Sequence, residues 1–167
     1  GLKLFQSGKT DEAMLHFQEA IRIKPRDRFA HLNLGNAYIS INDVPRAIEH
    51  YEKALAANPK YANASFNLAN AYLQQNKLEL CEKYFLMTIQ NDKGNYKAHF
   101  NLAGAYSKMG KPAEAIVQLL ESIKINPHQH RAFYGLGLEY LKTGHPEKAA
   151  LSFKRALELA PDFEPAR

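Results

Sequence analysis

Apolar residues recur along this chain at the spacing of an amphipathic helix. Leu34, Ala37, Tyr38 and Ile41 illustrate the pattern, because they stand at positions i, i+3, i+4 and i+7 of one segment. The same spacing continues through the chain and predicts an all-α fold without strands. The predicted helices span residues 1–7, 11–23, 29–41, 44–57, 62–75, 78–91, 96–109, 112–125, 130–143 and 146–159.

Short turns separate these helices in pairs. Each turn inside a pair carries glycine or asparagine, and both residue types tolerate the left-handed conformation that ends many helices. The turn residues are Gly8, Asn42, Asn76, Gly110 and Gly144. Pro112 and Pro146 follow two of them and suit the first turn of a helix, where a backbone N–H has no partner to lose.

The two-helix pattern repeats every 34 residues. Pro25, Pro59, Pro127 and Pro161 keep this interval, and Lys93 occupies the remaining place in the series. A fixed period of about 20–50 residues is the sequence signature of solenoids and other repeat folds. We expect a single domain over 1–167, with a partial repeat at 1–27, repeats at 28–61, 62–95, 96–129 and 130–163, and the start of a further helix at 164–167.

The recurring residues resemble the tetratricopeptide repeat (TPR) family, whose helix–turn–helix unit has the same length. In the repeat 28–61, the family's small, tyrosine, alanine, aromatic, alanine and proline positions are matched by Gly35, Tyr38, Ala47, Tyr51, Ala54 and Pro59. The next repeat departs from this pattern at Cys81, Thr88 and Lys93, and the one after it at Leu119 and Ser122. The resemblance implies a right-handed superhelical solenoid whose concave face is lined mainly by the first helix of each pair.

The positions that recur as apolar or small residues are also the expected core. Small residues are expected where two helices cross closely, and aromatic residues between neighbouring pairs. The expected core residues are Leu34, Tyr38, Ala47, Tyr51, Leu68, Tyr72, Phe85, Leu102, Tyr106, Leu136, Tyr140 and Phe153.

Asparagines occupy two rows at groove-facing positions of the first helices. One row contains Asn33, Asn67 and Asn101, and the other contains Asn36 and Asn70. Asparagine is a mediocre helix former, so its recurrence has a cost. A carboxamide offers a donor and an acceptor together and can bind a peptide unit. We therefore expect these amides to hold an extended ligand by its backbone; the alternative is that they bond neighbouring helices to each other.

Aromatic and basic residues accompany the asparagines in the same register. The complete set of expected peptide-binding residues is Asn33, Asn36, Phe66, Asn67, Asn70, Lys97, Phe100, Asn101, Lys108, Arg131, Tyr134 and Lys142. The basic members gather in the C-terminal half, which favours an acidic ligand. The expected function is therefore a protein-interaction scaffold that binds an extended peptide or partner segment in its concave groove.

Two variants of the TPR family refine this expectation. Chaperone-binding TPR domains hold a C-terminal carboxylate with lysine and asparagine side chains, and Asn33, Asn67 and Lys97 match part of that set. Phe29 and Asn101 stand where two of its basic residues belong. The continuous asparagine rows look more like the TPR region of O-linked N-acetylglucosamine transferase. The substrate-recognition region of a larger enzyme, such as a glycosyltransferase, is therefore an alternative.

The charge of the chain raises nucleic-acid binding as another alternative. Its 22 basic and 17 acidic residues give a formal net charge of +5, and related helical-hairpin arrays read RNA base by base. The two signs are interspersed without a basic run, which disfavours a nucleic-acid partner. No segment approaches the ~18 consecutive apolar residues of a membrane span, so no membrane partner is expected.

Residues with reactive side chains form no recognisable set along the sequence, so we expect neither enzyme activity nor a cofactor. His128 and His130 flank one residue of a turn without an accompanying cysteine or carboxylate cluster, and we interpret them as solvated rather than as metal ligands. His31 and His99 share one repeat position, which favours packing or groove lining over catalysis. Cys81, the one cysteine, is expected to be buried and inert. It favours a reducing compartment, the cytoplasm, with the periplasm as the alternative.

Overall fold

Ten α-helices and no β-strand make up residues 1–163, which are the residues that this computed structural model describes. The helices are α1 (Leu2–Gln6), α2 (Thr10–Ile23), α3 (Arg28–Ser40), α4 (Val44–Ala57), α5 (Ala62–Gln74), α6 (Leu78–Asn91), α7 (Tyr96–Lys108), α8 (Pro112–Ile125), α9 (His130–Lys142) and α10 (Pro146–Leu159). Every predicted helix is present, and each end lies within one residue of its expected position. The further helix expected at 164–167 lies outside the described residues.

The turns inside the helix pairs have the backbone conformation that their residues predict. Asn42 and Asn76 have φ angles of 61° and 55°, and the turn glycines likewise have positive φ. Asparagine is among the few residues other than glycine that adopt this region readily. Helices α8 and α10 begin at Pro112 and Pro146, as expected for a proline at the first helical position.

The described chain divides into two compact units, Gly1–Asn91 and the residues from Asp92 onward. In the first unit, α3 pairs with α4 and α5 with α6, while α2 packs on α3 and α4 on α5. In the second unit, α7 pairs with α8, α9 pairs with α10, and α8 packs on α9. The grouping of all repeats into one domain stays a prediction.

The core of each unit contains the residues expected there. Ten of the twelve expected core residues are buried. Tyr140 and Phe153 are only half-buried, because they belong to the last helix pair and no described helix follows to cover them. Small residues lie at the closest helix crossings: a Cβ added to Gly35 would come within 2.5 Å of the Tyr51 ring. Cys81 is fully buried.

Two departures from the repeat pattern are buried hydroxyl groups that have hydrogen-bond partners. Thr88 replaces the usual alanine, and its Oγ1 lies 2.8 Å from Oγ of Ser65 on the facing helix. Ser122 replaces alanine in the second unit, and its hydroxyl donates to the carbonyl oxygen of Tyr96 at 2.8 Å. A buried hydroxyl without a hydrogen-bond partner is costly. The repeat tolerates each of these hydroxyls because it has such a partner.

The two histidines at one repeat position are both buried in the interface of a helix pair. Nδ1 of His31 lies 3.0 Å from Nδ1 of His50, and Nδ1 of His99 lies 2.8 Å from Oε1 of Gln118. Both partners come from the second helix of the same pair. Burial and the neighbouring His31 ring lower the pKa of His50 to about 4, so His50 is uncharged at neutral pH. These histidines pack helices together.

None of the helices within residues 1–163 has the length and apolar character needed to cross a membrane.

Candidate peptide-binding surface

A cleft of about 300 Å³ opens on the first helices of the first unit. Its lining residues come from α1, α3, α4 and α5: Phe5, Asn36, Ile39, Tyr51, Asn67, Asn70, Ala71 and Gln74. Three of them are asparagines predicted to bind a peptide. The structure therefore brings together predicted residues from two repeats and adds an apolar wall formed by Phe5 and Ile39.

Asn36 is the centre of the hydrogen bonding in this cleft. Its Oδ1 atom accepts from the hydroxyl of Tyr51 at 2.8 Å and from Nδ2 of Asn67 at 2.7 Å. Burial raises the pKa of the Tyr51 phenol, which therefore remains a donor at physiological pH. Within the described residues, the Nδ2 group of Asn36 and the Oδ1 atom of Asn67 make no hydrogen bond, so the cleft retains one donor and one acceptor from these two amides.

Asn33 and Asn70, the other predicted asparagines of the first unit, each donate a hydrogen bond to a carbonyl oxygen of their own helix. Nδ2 of Asn33 donates to the carbonyl oxygen of Phe29 at 2.8 Å, and Nδ2 of Asn70 donates to that of Phe66 at 2.9 Å. Asn33 lines a different depression of about 510 Å³, bordered by α1, α2 and the start of α3. The predicted asparagines of this unit thus differ in their roles, and Asn36 and Asn67 also provide the bond between helices that was the alternative interpretation.

The predicted aromatic residues belong partly to the core. Phe66 makes an edge-on contact with the buried ring of Phe85, with ring centroids 5.8 Å apart. Tyr134 packs against Phe153 and Phe163, each at a centroid distance of 5.4 Å. Phe66, Tyr134 and Phe100 are half-buried, so each ring leaves part of its surface available for apolar contact.

The predicted residues Lys97, Lys108 and Arg131 of the second unit are exposed. Asn101 on α7 is half-buried. Lys142 is also exposed, but its Nζ donates to Oε1 of Glu139 at 2.6 Å. Because Glu139 neutralises this ammonium group locally, Lys142 offers less positive charge to a ligand than the other three basic residues.

The contact between Glu139 and Lys142 includes a hydroxyl group that the sequence did not reveal. Ser107 donates to Oε1 of Glu139 at 2.6 Å and accepts from Nζ of Lys142 at 2.7 Å. Glu139 is buried and its Oε2 atom has no partner in the described structure. Its repeat position is alanine at 37, 71 and 105. A carboxylate at a position that is otherwise a buried alanine indicates a polar partner, because an unpaired buried charge is costly.

Sequence reasoning also missed Phe5, Ile39 and Tyr51 as cleft residues. Phe5 and Ile39 are one repeat length apart, so the register would have identified them as a further row on the same face. Tyr51 stands where Phe17, Phe85 and Phe153 stand in other repeats. The hydroxyl that Tyr51 has and phenylalanine lacks indicates a polar partner. The sequence does not identify that partner, because it depends on three-dimensional contacts.

Comparisons with known families support the repeat assignment. A family model described as "TPR repeat" matches residues 1–41 and 35–76, and two models described as "Tetratricopeptide repeat" match residues 96–129 and 130–163. These spans cover most of the sequence. The chain belongs to the tetratricopeptide-repeat family. The resemblance inferred from the recurring residues is therefore confirmed.

Solved structures show the same fold. A crystal structure of MamA has a TM-score of 0.91 at 26% identity and covers 95% of this TPR chain and 93% of its own. MamA from Desulfovibrio magneticus RS-1, from residue 41 to its end, gives 0.89 at 19%, with 98% and 93% covered. YrrB, described as "a TPR protein with an unusual peptide-binding site", gives 0.83 at 21%, with 95% and 82% covered. No curated protein sequence matches the chain.

The protein is thus an all-α TPR solenoid, as its sequence predicted. The TPR repeats, together with the MamA neighbour, support a role as a protein-interaction scaffold.

Proposed function

We propose that the first unit of this TPR protein binds an extended peptide segment in the cleft that contains Asn36 and Asn67. The observation that carries the proposal is the shared oxygen of Asn36, which accepts from both Tyr51 and Asn67. This arrangement holds the two amides in place before a ligand arrives. Pre-organisation of this kind reduces the conformational entropy lost on binding.

The two remaining amide groups match the polar groups of a peptide backbone. Nδ2 of Asn36 can donate to a peptide carbonyl oxygen, and Oδ1 of Asn67 can accept from a peptide N–H. Such bonds do not depend on the side chains of the ligand. They therefore suit an extended segment of varied sequence rather than one small molecule.

The apolar wall supplies the second part of the interaction. Phe5 and Ile39 face the same cleft as the amides, so a ligand side chain that lies beside its bound backbone would bury apolar surface there. The peptide-binding site stated for YrrB, a structural neighbour, is consistent with this class of ligand.

The second unit adds a preference for acidic ligands in this proposal. Lys97, Lys108 and Arg131 are exposed there, and exposed charges act mainly on the rate of association. Lys142 contributes less because Glu139 pairs with it. Together with Phe100, Asn101 and Tyr134, these residues form a proposed interaction surface on the second unit.

A peptide array with acidic and neutral extended sequences tests the proposal, followed by fluorescence anisotropy with the peptides retained. Asn67→Ala should weaken their binding by ~0.5–1.5 kcal/mol, the net value of an ordinary hydrogen bond. Asn91→Ala is the matched control, because Asn91 is exposed on α6 and its amide donates to the Met87 carbonyl oxygen of its own helix.

Two results would contradict the proposal. The first is an affinity unchanged by Asn67→Ala combined with Asn101→Ala. The second is a loss of unfolding free energy in Asn67→Ala without any change in affinity, which would give the amide a structural role alone. Retention on a polyanion column in preference to peptides would instead indicate a nucleic-acid partner.

A further inference from the structure

His31 and His50 contact each other through the Nδ1 atoms of their imidazole rings. His31 lies on α3 and is buried, with 3% of its surface exposed, whereas His50 lies on α4 and is half-buried. Their Nδ1 atoms are 3.0 Å apart. The two helices form one hairpin of the first unit, so the pair is held by a tightly packed interface.

A backbone carbonyl determines which nitrogen of His31 carries its proton. Nε2 of His31 lies 3.0 Å from the carbonyl oxygen of Pro25, and a carbonyl can only accept. The proton of the neutral ring is therefore on Nε2, and the lone pair on Nδ1 is directed toward His50. A carbonyl that orients a histidine through its second nitrogen is the usual outer-shell arrangement of histidine metal ligands.

The His50 ring is restricted by aromatic neighbours. It stacks on His31, with ring centroids 5.2 Å apart, and on Tyr38, with centroids 5.5 Å apart and planes at 18°. Glu49 and Lys53 lie near the ring but pair with each other. The Nδ1 atom of His50 is consequently held toward His31, and His50 as a whole remains partly exposed to solvent.

The separation of the two nitrogens corresponds to neighbouring ligands of one metal ion. Metal–nitrogen bonds of about 2.0–2.1 Å place adjacent ligand nitrogens about 2.8 Å apart in square-planar and about 3.3 Å apart in tetrahedral coordination. The observed distance of 3.0 Å lies between these values. In the observed contact the Nδ1–H of His50 donates to the lone pair on Nδ1 of His31. Transfer of this proton to Nε2 of His50, with a small rotation of the two rings about their side-chain bonds, turns both Nδ1 lone pairs toward one ion without a change of backbone.

We propose that His31 and His50 bind one late first-row transition-metal ion through their Nδ1 atoms, with water completing its coordination. Residues 1–163 contain no group of three or more histidine, cysteine or carboxylate side chains able to hold a metal, so the protein supplies two ligands. Imidazole pairs bind Cu(II) more tightly than Ni(II) or Zn(II). Cu(II) is therefore the most sensitive probe, and Zn(II) should bind more weakly at the same position.

A later repeat of the protein makes the equivalent contact with one histidine instead of two. His99 and Gln118 stand at the positions equivalent to His31 and His50 in a later repeat, and they bond at 2.8 Å. A glutamine amide replaces the second imidazole there without loss of the helix pair. His50→Gln should therefore preserve the fold, with the amide Nε2 of the new glutamine donating to Nδ1 of His31, while removing one metal ligand.

The test is titration of the intact protein with Cu(II), followed by calorimetry and by electron paramagnetic resonance. We expect one tight equivalent with couplings from two imidazole nitrogens. His50→Gln should lose that equivalent while keeping its thermal unfolding midpoint. His99→Gln and the double variant His128→Asn/His130→Asn serve as matched controls and should retain it.

Three outcomes would overturn the assignment. One is a tight equivalent that persists in His50→Gln, and another is its disappearance in His128→Asn/His130→Asn, which would locate the metal in the α8–α9 turn. The third is a wild-type spectrum with coupling from one imidazole only. Because the spectrum is recorded on the unaltered protein, the proposal remains testable even if His50→Gln is poorly folded.

Discussion

Asn67 on α5 donates a hydrogen bond of 2.7 Å to Asn36 on α3, and this bond joins the first helices of two successive repeats. The same oxygen of Asn36 accepts from Tyr51, a residue that is 2% exposed. One amide therefore connects a buried aromatic side chain to the surface of the cleft. This arrangement couples the stability of the first unit to the geometry of its proposed peptide site.

Removal of the Asn36 amide should reveal that coupling. Asn36→Ala leaves the buried Tyr51 hydroxyl without its acceptor, and we expect a loss of ~1–3 kcal/mol in the free energy of unfolding. In a Tyr51→Phe background the same substitution should cost less, because no hydroxyl is left unpaired. Urea denaturation of the four proteins in this double-mutant cycle measures the difference. Equal costs in both backgrounds would show that the bond contributes nothing to stability.

Two glycines in first helices should respond in opposite directions to alanine. A Cβ at Gly35 would lie 2.5 Å from the buried Tyr51 ring, so we expect Gly35→Ala to destabilise the protein by ~1–3 kcal/mol. Gly104 has no atom within 4 Å of an added Cβ, and Gly104→Ala should stabilise by ~0.5–1 kcal/mol through helix propensity. Thermal denaturation compares the variants; a destabilised Gly104→Ala would contradict this account.

Phe85 is a fully buried aromatic residue that contacts Phe66. Phe85→Ala should reduce the free energy of unfolding by ~3–5 kcal/mol, because a large cavity replaces the ring. Leu86 is its neighbour in sequence and is 45% exposed, so Leu86→Ala should change stability by less than ~0.5 kcal/mol. Similar melting temperatures for the two variants would show that the assigned helix face is wrong.

The turn between α5 and α6 depends on a left-handed residue, since Asn76 has a φ of 55°. Asn76→Val should cost ~1–2 kcal/mol, because a β-branched side chain clashes with the backbone in this region. Asn76→Gly is the matched variant and should be neutral or slightly stabilising. Chemical denaturation measures both, and a tolerated valine would rule out the proposed backbone requirement.

The basic residues of the second unit should separate into two classes. Lys97→Glu should slow the association of an acidic peptide and reduce its salt dependence, because this exposed charge acts over long range. Lys142→Ala should instead lower the unfolding free energy by ~1–3 kcal/mol, because it leaves the buried Glu139 without its cation. Stopped-flow association and urea denaturation distinguish these effects. Equal effects of both substitutions on association rate would contradict the division.

The sequence by itself determined the secondary structure and the fold class. Helix boundaries followed from the apolar periodicity, and the left-handed turns followed from asparagine or glycine at positions such as Asn42 and Gly110. These features are local, so they are encoded within a few consecutive residues. The repeat period then extended them to the TPR fold, because equivalent residues of a solenoid meet equivalent neighbours.

Only the tertiary structure decided which polar groups meet. The sequence placed Asn36 and Asn67 on one face but did not show that they bond to each other and to Tyr51. It likewise gave no indication that His31 faces His50, or that Glu139 meets Lys142 and Ser107. A repeat register determines the direction in which each side chain points. Which of several nearby donors an acceptor binds depends on rotamers and packing between residues far apart in sequence, and that choice is made only when the helices assemble.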